Sequence, residues 1–136
     1  MAPPTPPPPA FETPSPLALV VASEAPDRQL RATIARASGL EVLEVSSGGA
    51  AVEAAEDKEP DVVLLDVHLP DQDGLQVLAQ LRADHPDMPV IVVAEPCEGE
   101  RVEAALDVGA LNYRCKPVNP REVTFVLDRL QRALQE

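Results

Sequence analysis

The fold is decided by one stretch, VVLLDVHLPDQDG, which runs from Val62 to Gly74. Its first four residues are all apolar, a pattern typical of a strand covered on both faces of a sheet. The strand ends at Asp66, and the Pro/Asp/Gly-rich segment after it is typical of a turn into a helix. Because ligand sites in open parallel sheets form at the carboxyl ends of the strands, we expect Asp66 there, projecting from the rim of the sheet.

The rest of the chain repeats this alternation of strand and helix. Strands are predicted at 17–22, 41–45, 62–66, 90–94 and 111–115, and helices begin near Pro26, Ala50, Leu75, Val102 and Arg121. In the first helix, Leu30 and Ile34 lie one turn apart and are expected to form the apolar face. Five βα units in series predict an α/β fold: a doubly wound, five-stranded parallel sheet with five helices on its two faces.

The amino-terminal segment differs in composition. Residues 1–16 are rich in proline, which cannot donate backbone hydrogen bonds, so they are expected to be a disordered tail or linker. The alternative is an extended polyproline ligand for an aromatic groove. The predicted domain is therefore 17–136.

Charge and hydropathy exclude several classes of function. With 23 acidic and 11 basic residues the formal charge is −12, which disfavours nucleic acid and anionic membranes as partners of this domain. No apolar run approaches the roughly 20 residues that cross a bilayer, and no secretory signal is visible. The two cysteines lack metal-ligand spacing and are expected to be reduced thiols, so we predict a cytoplasmic location.

Two segments together resemble the receiver domains of response regulators. One is 62–74; the other is 109–117, GALNYRCKP, which is similar to the closing strand and Lys-Pro step of these domains. The resemblance implies a flavodoxin-like topology, with Asp66 as the phosphoacceptor, Lys116 as the phosphoryl-binding lysine and Tyr113 as the switch aromatic. Lys116 could also pair with Asp66 as a purely structural ion pair.

The sequence departs from the family pattern at the site itself. Ala22 and Ser23 stand where the family has two acidic residues, and Ala94 stands where it has a threonine or serine that binds the phosphoryl group. The metal ligands that the resemblance implies are Asp66, the backbone carbonyl of His68 and, if its side chain reaches inward, Glu24. Because Mg²⁺ requires several hard oxygen ligands, we expect it to bind weakly.

We therefore expect a degenerate receiver, not an enzyme, that works in signal transduction through protein contacts with weak or no Mg²⁺-dependent phosphorylation. Its last helix and the strand before it would bind a histidine kinase, an output domain, another signalling protein or a second copy of the chain. The main alternative is a conventional receiver phosphorylated on Asp66 by a histidine kinase. An aspartate-nucleophile phosphatase is a weaker alternative, because His68 occupies the second position of an Asp-x-Asp signature. A nucleotide site is disfavoured, because the turn after the first strand has no glycine.

Overall fold

The computed structural model describes residues 16–94, 99–110, 112–115 and 120–134. The predicted tail, apart from Pro16, lies outside these ranges. The strands are β1 Leu17–Val21, β2 Glu41–Val45, β3 Val62–Asp66, β4 Val90–Ala94 and β5 Asn112–Cys115. The helices are α1 Ala25–Ala37, α2 Gly48–Lys58, α3 Gly74–Asp84, α4 Gly99–Val108 and α5 Pro120–Leu134.

The strands form one parallel sheet in the order β2-β1-β3-β4-β5, which confirms the predicted fold class. From β1 the chain passes first to β2 on one side and then back across β1 to β3 on the other. The strand order therefore reverses between β1 and β3. In doubly wound sheets the carboxyl edge at such a reversal is the usual ligand site, and here it holds the ends of β1 and β3.

Aliphatic side chains fill both faces of the sheet. Alternate residues of β3 point to opposite faces: Val63 and Leu65 pack with α2, α3 and α4, whereas Val62 and Leu64 pack with α1 and α5. All five residues of β3 are buried. The sheet is thus covered on both sides, as its uninterrupted apolar strands predict.

Helix α1 presents a different face to the sheet from the one predicted. Ile34 is buried as expected, but Leu30 is 46% exposed. The buried positions are Arg31, Ala32, Ile34 and Ala35. At about 100° per residue, the centre of this face lies between Arg31 and Ala35, and Leu30 falls outside it. The expectation for Leu30 was wrong, and an arginine lies on the buried face of α1.

The predicted helix boundaries agree with the structure to within a few residues. Pro26 lies in the first turn of α1, and Ser47 caps α2 by accepting a hydrogen bond from the backbone N–H of Ala50. Gly109, at φ 116°, ends α4 in a conformation that favours glycine. No helix in the described ranges is long and apolar enough to cross a membrane.

Candidate functional site

Asp66 is the last residue of β3 and is buried. Its position continues the series Val62, Leu64, so its side chain lies on the face of the sheet that α1 and α5 cover. Only 2% of the residue is exposed. The carboxylate was expected to project from the rim, and that expectation was wrong because α1 covers this end of the strand.

Both carboxylate oxygens of Asp66 have donors on the protein. The backbone N–H of His68 donates to Oδ1 at 3.1 Å. Nη1 of Arg31 lies 3.5 Å from Oδ2, and the two side chains are 3% and 2% exposed. A charge-assisted contact between a buried carboxylate and a buried guanidinium satisfies two groups that would be costly to bury alone.

Sequence reasoning did not identify Arg31. An arginine inside a helix is usually a solvated position, and Leu30 beside it offered an ordinary apolar residue for the buried face. A usable signal was present in Ala32, Ile34 and Ala35, whose positions define a buried face that includes residue 31. Helical geometry could therefore have placed an arginine on the sheet side of α1, although not against Asp66 in particular.

Ala22 and Ser23, which follow β1, are the two positions where the family pattern has an acidic pair. Val21 pairs with Leu65, so Ala22 follows at the level of Asp66. Ala22 is fully buried and offers no side-chain oxygen, whereas Ser23 is exposed. The backbone carbonyls of both residues accept from Nη1 of Arg28, at 2.9 Å and 3.4 Å respectively. A second guanidinium from α1 therefore binds this end of β1.

The loop after β3 packs closely against the end of the strand. A Cβ atom on Gly74 would lie 2.5 Å from the backbone oxygen of Asp66 and 2.5 Å from Cα of Val67, so only glycine fits there without a shift. Oδ1 of Asp73 accepts from the backbone N–H of Leu75 and caps α3. The turn chemistry predicted for this segment is confirmed, and it fixes the backbone next to Asp66.

Asp71 joins the same loop to the start of α2. Its Oδ1 accepts from the backbone N–H of Gly48 at 2.8 Å, and its Oδ2 accepts from that of Gly49 at 2.9 Å. These hydrogen bonds, with the Gly48 bond contributing most, lower the pKa of the Asp71 carboxyl from its ordinary value of 3.8. The helix amino terminus also favours a negative charge at this position.

Two of the predicted site residues are described only in part, and a third is not described. The backbone of Tyr113 pairs with Val92 and that of Ala94 with Cys115, so both lie on neighbouring strands β4 and β5. Their side chains and the whole of Lys116 lie outside the described residues, and the predicted pair between Lys116 and Asp66 stays a prediction. Glu24 is exposed at the start of α1, and the side chain of His68 is exposed.

A sequence profile decides the family. The profile described as the response regulator receiver domain matches residues 18–128, which is most of the chain. The chain belongs to this family. The match confirms the resemblance seen in the two sequence segments and covers every strand of the sheet except the first residue of β1.

Curated relatives of this receiver domain include transcriptional regulators. It is 36% identical over 114 residues to the probable transcriptional regulatory protein TcrX of Mycobacterium tuberculosis, covering 84% of this chain and 49% of that protein. It is 34% identical over 116 residues to the phosphate regulon regulatory protein PhoB of Pseudomonas aeruginosa, covering 84% and 51%. The chain thus spans about half the length of these two relatives. Their names describe regulators, not enzymes.

Solved receiver structures share the fold. The receiver domain of NtrX from Brucella abortus superposes with a TM-score of 0.79 at 29% identity, covering 85% of this chain and 98% of that one. A CheY-like receiver protein from Methanospirillum hungatei superposes with a TM-score of 0.79 at 26% identity, covering 88% and 99%. The flavodoxin-like receiver topology expected from the sequence is confirmed.

Receiver domains use Mg²⁺ in phosphorylation, and the described side chains at this site do not fit that ion. Mg²⁺ prefers several carboxylate or water oxygens in octahedral geometry. Ala22 supplies no ligand, and the buried cation of Arg31 lies against Asp66. Among the residues that the structure describes, no three His, Cys, Asp or Glu side chains form a cluster that could hold a metal ion.

Proposed function

We propose that this chain is a degenerate receiver that signals through protein contacts, with weak or no Mg²⁺-dependent phosphorylation of Asp66. The observation that carries the proposal is the buried ion pair between Asp66 and Arg31 at the position of the phosphoacceptor. The absence of carboxylates at Ala22 and Ser23 supports it independently. The proposal includes a cytoplasmic location and a role in two-component signal transduction.

The buried pair of Asp66 and Arg31 disfavours the formation of an acyl phosphate on Asp66. Phosphoryl transfer to an aspartate requires an accessible carboxylate oxygen in line with the leaving group and a cation on the transferring oxygens. Asp66 is 2% exposed, and its two oxygens face the N–H of His68 and the guanidinium of Arg31. Access to the carboxylate is therefore poor, and Ala22 and Ser23 supply no carboxylate to hold a divalent cation there.

Incubation with acetyl phosphate and Mg²⁺, followed by intact-mass measurement, tests the proposal. We expect little or no species heavier by one phosphoryl group, while a conventional receiver treated in parallel is modified. Asp66→Ala is the matched variant, because it shows whether any added mass resides on this carboxylate. Substantial modification of the wild-type protein that is lost in Asp66→Ala would restore the conventional receiver.

The partner surface is proposed to be α5 together with β5. Phe125 on α5 is 62% exposed, and the guanidinium of Arg129 lies 5.7 Å from the centre of its ring. Arg121 and Arg132 are exposed on the same helix. A solvent-exposed aromatic flanked by arginines is a composition that protein interfaces favour. A histidine kinase, an output domain, another signalling protein or a second copy are the candidate partners.

Two alternatives make different demands on Asp66. A conventional receiver phosphorylated by a histidine kinase is favoured by the position of Asp66 at the strand-order reversal between β1 and β3. An aspartate-nucleophile phosphatase would need a substrate cavity at that carboxylate. Asp66 itself is 2% exposed.

The chain's place in a longer regulator is also a proposal. The relatives named above are about twice as long as their matched portion. We infer that 17–136 is the receiver unit and that residues 1–16 act as a tail or linker. Any output activity would then belong to a further domain or to a partner bound at α5.

A further inference from the structure

Helix α1 supplies cationic groups to an edge where the family binds a metal. Nη1 of Arg31 lies 3.5 Å from Oδ2 of Asp66, and both side chains are buried. One turn earlier, Arg28 donates to the carbonyl oxygens of Ala22 and Ser23. The carboxylate at the end of β3 and the carbonyls at the end of β1 thus both face guanidinium groups.

The buried charge of Arg31 requires a compensating anion. A guanidinium stays protonated at any physiological pH, so it cannot become neutral when it is buried. An arginine that is 3% exposed therefore persists only where an anion compensates it, and Asp66 supplies that anion. Arg36 on the same helix is 54% exposed and pairs with Glu44, which is the ordinary surface arrangement.

We propose that Arg31 is the resident cation of this receiver: its guanidinium takes the place of a divalent cation beside Asp66 and excludes metal from the site. The inference deepens the proposed function and rests on it in treating this edge as the receiver site. Two features then prevent metal binding: the charge of one residue on α1, and the absence of acidic residues at the end of β1. Because this cation is a side chain of the protein, the positive charge beside Asp66 is present at any metal concentration.

The positive charge of Arg31 opposes the binding of a second cation beside Asp66. A divalent ion that contacted Asp66 would lie within several ångströms of the buried guanidinium, where like charges repel strongly because water screens them poorly. A carboxylate added at the end of β1 would not be sufficient to bind metal, because Arg31 would still repel a divalent ion beside Asp66 and Arg28 already contacts the end of β1. Removing the charge of residue 31 is therefore expected to raise metal affinity more than adding a carboxylate ligand does.

Manganese binding followed by amide line broadening in NMR spectra tests this. Ser23→Asp adds a carboxylate at the exposed end of β1, and we expect no localised broadening at Val67 and His68 in that variant. Ser23→Asp with Arg31→Gln keeps a hydrogen-bond donor at residue 31 without charge, and its manganese affinity should be at least about tenfold higher. The matched control, Ser23→Asp with Arg36→Gln, removes an exposed arginine from the same helix and should resemble Ser23→Asp alone.

Two further measurements complete the test. Ser23→Asp with Arg31→Lys keeps the charge and should exclude manganese as Ser23→Asp does. Equal affinity in the Arg31→Gln and Arg36→Gln backgrounds would overturn the inference. So would a submillimolar manganese site in Ser23→Asp alone, a result that does not depend on whether any residue 31 variant folds. Phosphorylation of the wild-type protein by acetyl phosphate in EDTA would instead contradict the proposed function and leave the role of Arg31 intact.

Discussion

The guanidinium of Arg31 and the carboxylate of Asp66 form a buried ion pair that joins α1 to the end of β3. The two residues are 35 positions apart in sequence. Because each charge is buried against the other, loss of one partner removes a charge that compensates a buried ion. This pair is consequently both a feature of the site and a determinant of stability.

Removal of one partner should therefore be strongly destabilising. We expect Arg31→Met to lower the free energy of unfolding by about 3–5 kcal/mol, because the buried carboxylate of Asp66 loses a charged partner. Urea denaturation followed by circular dichroism measures the change. Arg36→Met removes an exposed arginine of the same helix and should cost less than about 1 kcal/mol.

The double variant separates pairing from packing. Arg31→Met combined with Asp66→Leu replaces both charges of the pair by apolar groups and should recover much of the loss, because neither buried charge is left without the other. Additive losses in the two single variants and the double variant would show that the residues do not interact energetically.

A second prediction concerns the close approach of the loop to the end of β3. In Gly74→Ala the added Cβ meets backbone atoms of Asp66 and Val67 at 2.5 Å, which cannot move as a side chain would. We expect a loss of about 1–3 kcal/mol in the free energy of unfolding, with chemical shift changes concentrated in 66–68.

Gly49→Ala is the control for that substitution. A Cβ at Gly49 meets only Oδ2 of Asp71, at 3.5 Å, and alanine favours a helix over glycine by about 0.5–1 kcal/mol. This variant should be neutral or stabilised. A similar loss in both variants would indicate that the loop adapts and that the site is less rigid than the contacts suggest.

The fold could be predicted almost completely because β strands buried on both faces leave a simple pattern. The bounds of β4 follow from a run of five apolar residues, and those of β3 from four apolar residues and the aspartate that ends them, whereas β2 alternates apolar and acidic residues. The site was harder, since the partner of Asp66 comes from α1. Nothing in a single sequence tells which long side chain will reach across from a neighbouring helix, and Leu30 was a better candidate by hydropathy alone. The burial of Asp66 was missed for the same reason.

The third prediction concerns pH and the Asp71 cap. Its pKa is lowered by the N–H groups of Gly48 and Gly49, so the ionised form stabilises the folded state. That contribution is fully present above the ordinary pKa of 3.8 and is lost as pH falls through the lower, folded-state pKa. We expect Asp71→Asn to be less stable than wild type at neutral pH, with the difference shrinking in this acidic range.

Carbon-detected NMR titration of the Asp71 carboxyl measures its pKa directly. Asp57 is a suitable internal comparison, because it is an exposed aspartate outside the loop. A difference in stability between wild type and Asp71→Asn that stays constant from neutral pH down to strongly acidic pH would contradict the assignment of the cap.

The last prediction concerns signalling. Ala94 has no hydroxyl with which to bind a phosphoryl group on Asp66, so phosphorylation would have little differential affinity with which to shift a conformational equilibrium. Partner binding should then be independent of Asp66 and depend on α5 and β5. Affinity purification with quantitative mass spectrometry measures the partners bound in cells. The cells express equal levels of wild type, Asp66→Ala, Tyr113→Ala or Phe125→Ala. We expect a partner retained by Asp66→Ala and reduced several-fold by Tyr113→Ala and Phe125→Ala. Both Asp66→Ala and Asp66→Asn remove the anion that compensates Arg31, so the folding of each is checked by circular dichroism. Asp66→Asn keeps an oxygen acceptor for Arg31, and loss of the partner in folded Asp66→Asn would favour a phosphorylation-dependent receiver.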